Sequence, residues 1–150
     1  DQLAAAARLS DGLEADLCWV DSARITCENK QPDKALTLLD AMDASDWPAT
    51  PAGERLTVLG QAHAMLGDPE QAVGYLRDAV THLRCGSQRS LGAALFLLGQ
   101  VEGIRGHGDA CGTALAEALI ITARLGLPEQ HAVRRVIERI QSQAQDSHDV

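Results

Sequence analysis

Three stretches of this chain carry the same arrangement of small residues, and that recurrence restricts the folds open to it more than any other feature. Ala23, Gly60 and Gly99 stand 37 and 39 residues apart, and twelve residues after each comes another small side chain, Ala35, Ala72 or Cys111. Between the members of each pair lies a corner: "KQPDK", "GDPEQ" or "GHGD". The middle corner is the most explicit. Gly67 can end a helix in the left-handed conformation, Asp68 can cap the next one, and Pro69 suits a first helical turn, where the missing N–H has no partner anyway. Gln71, three residues after Asp68, adds the second half of a weak capping box. Upstream, Leu56, Leu59, Gly60 and His63 fall at i, i+3, i+4 and i+7; downstream, Ala72, Leu76, Ala79, Val80 and Leu83 form a second stripe of the same period. The spacing predicts an antiparallel helix hairpin in which Gly60 and Ala72 let the two backbones approach closely.

The other two copies follow the same grammar. "CWVDSARITCENKQPDKALTLLDAM" places Trp19 and Ala23 on a first helix and Ala35, Leu39 and Met42 on a second. "ALFLLGQVEGIRGHGDACGTALAEAL" places Leu95, Leu98 and Gly99 on a first helix, then Cys111, Leu115 and Ala118 on a second. Hydrophobic residues make up 45% of the chain but aromatics only 3%, so the core has to be aliphatic and rich in helix formers, which predicts an all-α fold. A length of 150 residues suits one domain.

This order of residues resembles the tetratricopeptide repeat, a helix pair of about 34 residues. Trp19 fills the first aromatic position, Leu59-Gly60 and Leu98-Gly99 the Leu-Gly step, and Ala79 and Ala118 the last small position. The resemblance implies a right-handed α-solenoid of three such helix pairs, over about 16–43, about 53–84 and about 88–125, with a capping helix over about 128–143. The departures are specific. The period is longer than the family's, with extra residues in "DASDWPATPAG" and "RCGSQRS"; Met42 replaces a small residue; and His63 and Glu102 stand where an aromatic is usual. Repeats of this longer period resemble those of bacterial signalling and transcription regulators. Of the flanks, "LAAAARLSDGLEAD" reads as a separate leading helix. "PEQHAVRRVIERIQSQ" sets Val133, Val136, Ile137 and Ile140 on one face and Arg134, Arg135, Glu138 and Arg139 outside, as a cap over the last apolar face requires. The tail "AQDSHDV" is expected to fray.

Charge and motif content narrow the function. The net charge of −8 repels phosphate backbones and anionic lipid heads, so nucleic acid is not expected as a direct partner. No apolar run approaches the roughly 18 residues of a membrane span, and no basic-then-apolar leader precedes the first helix. A cytoplasmic location is the expectation, and the start at Asp1 suggests a piece of a longer protein with an effector domain elsewhere. Cys18, Cys27, Cys85 and Cys111 form no C-x-x-C pair and have no His at zinc spacing, so structural thiols are expected, with Cys85 beside Arg84 the one candidate for reactivity. His63, His82, His107, His131 and His148 are scattered. "GIRGHGD" follows a helix rather than a strand and lacks the Lys of a phosphate loop. Asp40, Asp43 and Asp46 lack the Gly and Glu of a calcium loop. No metal, no cofactor and no enzymatic constellation are expected.

What remains is a concave groove. In peptide-binding members of the family, contacts come from the residue three before and the residue one after the small position. Carried over, these are Val20 and Arg24, Thr57 and Gln61, and Phe96 and Gln100. The two glutamines could bond an extended backbone, Arg24 a carboxylate, and Phe96 could anchor an apolar side chain. The Lys and Asn set with which chaperone-binding members hold a C-terminal carboxylate is absent from these positions. The resemblance therefore implies a non-catalytic protein- or peptide-binding module, a scaffold or sensor segment. Two alternatives stand beside it: a small-molecule effector site walled by Phe96, Val20 and Met65, and homodimerisation through an exposed solenoid end.

Overall fold

The computed structural model describes residues 2–148, and of residues 5–11 and 148 the backbone alone. The described residues form seven helices and no strand: α1 (Gln2–Glu28), α2 (Pro32–Asp40), α3 (Ala49–Met65), α4 (Pro69–Leu83), α5 (Gln88–Ile104), α6 (Gly108–Arg124) and α7 (Glu129–His148). The chain is all-α.

The corners repeat down to their backbone angles. Lys30, Gly67 and Gly106 each lie seven residues after Ala23, Gly60 or Gly99, and each takes a positive φ, of 63°, 80° and 79°. At Gly67 the N–H donates to the Ala64 carbonyl at 3.1 Å and the next N–H, of Asp68, donates to His63 at 2.9 Å. The same two bonds close the corners at Lys30 and Gly106, and again at Gly126 after α6. This satisfies carbonyls that a helix end leaves orphaned. Asp68 then caps α4 by accepting the Gln71 N–H, and Pro69 opens the helix.

Within each hairpin the small residue meets a leucine. A Cβ built on Gly60 would lie 2.5 Å from Leu76 Cγ and 3.2 Å from the Ala72 carbonyl; on Gly99 it would lie 2.7 Å from Leu115 Cγ. Gly53 likewise faces Leu83, and Gly92 faces Ile121 and Thr122. Partner numbers rise as the glycine numbers fall, so α3–α4 and α5–α6 are antiparallel. First helices also touch first helices, α1 on α3 and α3 on α5, and α7 packs on α6. The core is continuous through three aliphatic clusters, one around Val20, Ala23, Leu39 and Leu59, one around Ala72, Leu76 and Val101, and one around Leu83, Leu95, Ala118 and Val133.

Polar links tie hairpin to hairpin. Arg84, just past α4, pairs with Glu117 of α6, and that bond holds the Glu117 carboxyl below its ordinary range. Glu102 of α5, only 1% exposed, receives Arg105 at 2.6 Å, His107 at 3.2 Å and Arg77 of α4 at 3.6 Å. Arg105 also reaches Glu70 of α4 at 2.9 Å. Burial pushes the Cys27 and Cys111 thiols up, keeping both protonated.

Several expectations are corrected. The leading helix and the first helix of the first hairpin are one element, α1, because a single Gly12 costs a helix only about 1 kcal/mol against Ala, and the good helix formers Leu13, Glu14 and Ala15 follow it. Helix α2 stops at Asp40, leaving Met42 beyond it. Acidic side chains suit a helix end poorly, and the Ser45 N–H and hydroxyl both donate to Asp43, at 3.2 and 2.7 Å, in a turn that competes with the helix. Helix α3 begins at Ala49, earlier than the sequence implied. Trp19, which fills the first aromatic position of the resemblance, is 52% exposed. The tail to His148 is helical; Asp149 and Val150 lie outside the described residues.

Two substitutions test the hairpin geometry. Gly60→Ala drives a methyl into Leu76 and should lower the unfolding free energy by about 1–2 kcal/mol in urea titration, despite the better helix propensity of Ala. Lys30→Gly relieves a side chain held in the left-handed region and should raise the same quantity by about 1 kcal/mol.

Candidate binding groove

Because the first helices share one phase, the same face of α1, α3 and α5 turns toward a common side. Val20, Arg24 and Glu28 come from α1; Glu54, Thr57, Val58 and Gln61 from α3; Arg89, Ala93, Phe96 and Leu97 from α5. Helix α7 closes the far side with Glu129, Ala132 and Val133. Together they bound a cavity of about 320 Å³. Gly92 and Ala93 also line it, beside Phe96 on α5.

The floor is apolar, built on Val20, Val58, Phe96, Leu97 and Val133. The rim is charged, and much of that charge is already engaged. Arg24 binds Asp21 at 2.8 Å, Arg89 lies 3.6 Å from Glu129, and the Ser90 hydroxyl donates to Glu54 at 2.9 Å. The Thr57 hydroxyl donates to its own helix at the Gly53 carbonyl, 2.8 Å away. Glu28 and Gln61 make no side-chain hydrogen bond or ion pair among the described residues, which leaves one carboxylate and one amide on the rim for a ligand.

Of the six groove positions read from the sequence, Val20, Arg24, Thr57, Gln61 and Phe96 line this cavity and Gln100 does not. Gln100 lies one turn farther along α5, past the hollow. Val20 is a floor residue with 1% exposure, a packed side chain rather than a free contact. Met65, offered as a wall of an effector site, is also elsewhere, receiving the Cys27 thiol at 3.3 Å. The contribution of α7 escaped the sequence reading. Its signal was present in "PEQHAV", which follows the positive-φ Gly126.

Cys18 and Cys85 are exposed and Cys27 and Cys111 buried, all four unbridged. Among the described residues, no group of three His, Cys, Asp or Glu could hold a metal ion. No described helix is long and apolar enough to cross a membrane. No family model, no curated protein and no solved structure matches the chain.

The floor and rim should separate on mutation. Arg24→Ala combined with Gln61→Ala should leave the unfolding free energy within about 0.5 kcal/mol of the parent, as surface changes do. Val20→Ala removes buried methyl groups and should cost about 1–3 kcal/mol, measured in the same urea titration.

Proposed function

We propose that this chain is a non-catalytic interaction module, a right-handed solenoid of tetratricopeptide-like helix pairs whose concave groove takes a peptide segment of another protein. The observation that carries it is convergence: five positions from three successive hairpins, chosen by their place in the repeat, line one hollow with an apolar floor. A cavity of about 320 Å³ takes apolar side chains presented by a helix or an extended segment, while Gln61 and Glu28 on the rim can bond its backbone or its cationic groups. The net charge of −8 favours partners that are not themselves anionic. The long period supports a place in a scaffold or sensor segment of a cytoplasmic regulatory protein.

A small-molecule effector is the second reading. The cavity volume falls at the lower edge of the roughly 300–1,000 Å³ typical of ligand pockets, and a mostly apolar wall with few polar groups is the usual composition of such sites.

Affinity capture from the source cells separates the two. A protein retained by the parent and by Gln100→Ala, but lost by the Gln61→Ala/Phe96→Ala double variant, is the expected result. Retention by all three chains would sink the groove reading. Recovery of a small molecule alone, dependent on Phe96, would put the effector reading first.

A further inference from the structure

The charges around the cavity do not balance, and the imbalance falls at two particular places. Arg24 is engaged by Asp21 at 2.8 Å and Arg89 by Glu129 at 3.6 Å. Glu28 and Glu54 line the same cavity and have no basic partner among the described residues. Glu28 makes no side-chain hydrogen bond there, and Glu54 accepts only the neutral Ser90 hydroxyl. Each carboxylate therefore has lone pairs left for a donor. The two lie at opposite ends of the groove. At the repeat offset of 37, Glu28 of α1 corresponds to Met65 of α3, eleven residues beyond Glu54, so along the helix direction they stand about 16 Å apart. The same register orders what lies between. Val20 and Phe96 fall level with Thr57, and Leu97 with Val58, one turn from Glu54; Arg24 falls level with Gln61, one turn nearer Glu28. Along the groove the wall reads acid, apolar, polar, acid. These walls are helices, whose backbone groups bond internally, and Gln61 is the one side-chain amide among the lining residues. An extended segment would find no edge on which to satisfy its own N–H and C=O groups; a helix brings them already satisfied.

We propose that the groove takes a basic amphipathic helix of a partner protein, with a Lys or Arg at each end of its apolar face. This rests on the peptide-groove reading above and adds the partner's chemistry to it. Lying along the first helices, such a segment sets a base against Glu54, apolar side chains three and four positions later on the floor, a polar one at the seventh beside Gln61, and a second base at the eleventh against Glu28. Positions i, i+3, i+4, i+7 and i+11 share one face of a helix. Run in the opposite direction, the face reads i, i+4, i+7, i+8 and i+11. The apolar side chains supply most of the affinity, because exposed ion pairs contribute little each. The two bases fix register and direction, and the chain's net charge of −8 draws them in.

The test is selection of random phage-displayed peptides of about 18 residues, five helical turns, on the 150-residue chain, with Ala93→Trp as the control. Ala93 is exposed on the cavity wall, so an indole there fills the hollow without removing a core side chain and leaves the net charge at −8. Enriched peptides should carry Lys or Arg eleven positions apart with apolar residues at the spacing above, and should fail to bind Ala93→Trp. For a synthetic peptide so selected, fluorescence anisotropy should show binding about threefold weaker to Glu28→Gln and to Glu54→Gln, and about tenfold weaker to the double variant. A proline at the peptide's midpoint should abolish binding. The Glu28→Lys/Glu54→Lys chain should select acids where the parent selects bases. Enriched peptides without bases, or equal binding to the double Gln variant, overturn the cationic partner and leave the groove reading standing. A bound peptide that tolerates the proline overturns the helix. Enrichment that survives Ala93→Trp, or none on the parent, sinks the groove reading and this proposal with it.

Discussion

The contact on which this fold depends is that between a small residue on each first helix and the leucine sixteen positions later. Gly60 meets Leu76 and Gly99 meets Leu115, and Ala23 and Leu39 lie together in the first cluster, all of them buried. A leucine can seat against the opposing backbone only where no Cβ, or a lone methyl, stands in its way, so side-chain size at one position sets the distance between two helices. It also sets their phase. With the contact fixed, the chain has the same number of residues in which to reach each corner, and the positive-φ residue falls seven positions after the small one every time. Three corners of equal phase turn three first helices to the same side. The groove is a consequence of that phase.

Where the sequence was legible, the determinants were local. Gly67, Asp68 and Pro69 each dictate a backbone state through their own covalent geometry, and the small positions announce themselves by size. Lys30 is the instructive exception, a lysine that takes the left-handed angle because the hairpin closing around Ala23 and Leu39 requires it, although nothing in its side chain favours it. Tertiary context also decided what local reasoning missed. Val20 occupies a groove position by its place in the repeat, yet it is packed into the cluster that α1 forms with α2 and α3. Trp19 has the size and polarity of a core residue, and it is open because none of the described helices packs over that side of α1. Gln100 matches Gln61 in the repeat and still falls outside the cavity, since α7 encloses the earlier turns of α5 alone.

One position three residues beyond the small one shows how far the repeat is specified by size and how far by direction. In the first hairpin it is Thr26, bonded to its own helix at the Ser22 carbonyl. In the second it is His63, stacked on Tyr75 with ring centroids 5.1 Å apart. In the third it is Glu102, whose carboxylate is withdrawn from water beside aliphatic neighbours. Three unlike solutions at one site mean that closing a hairpin does not depend on it. Burying a carboxylate carries a desolvation cost that its partners largely offset rather than convert into stability. What the Glu102 bonds add is orientation. An aliphatic side chain there would pack against a neighbouring hairpin over a range of angles. A carboxylate shared among Arg105, His107 and Arg77, with Arg105 held in turn by Glu70, is satisfied over a much narrower range. The third hairpin is thereby held to the second by directional bonds at the corner end of α5. The earlier part of the helix, from Arg89 to Phe96, faces the cavity and is positioned as part of the same rigid helix. Size makes each hairpin, and this polar cluster fixes how two of them meet across the groove.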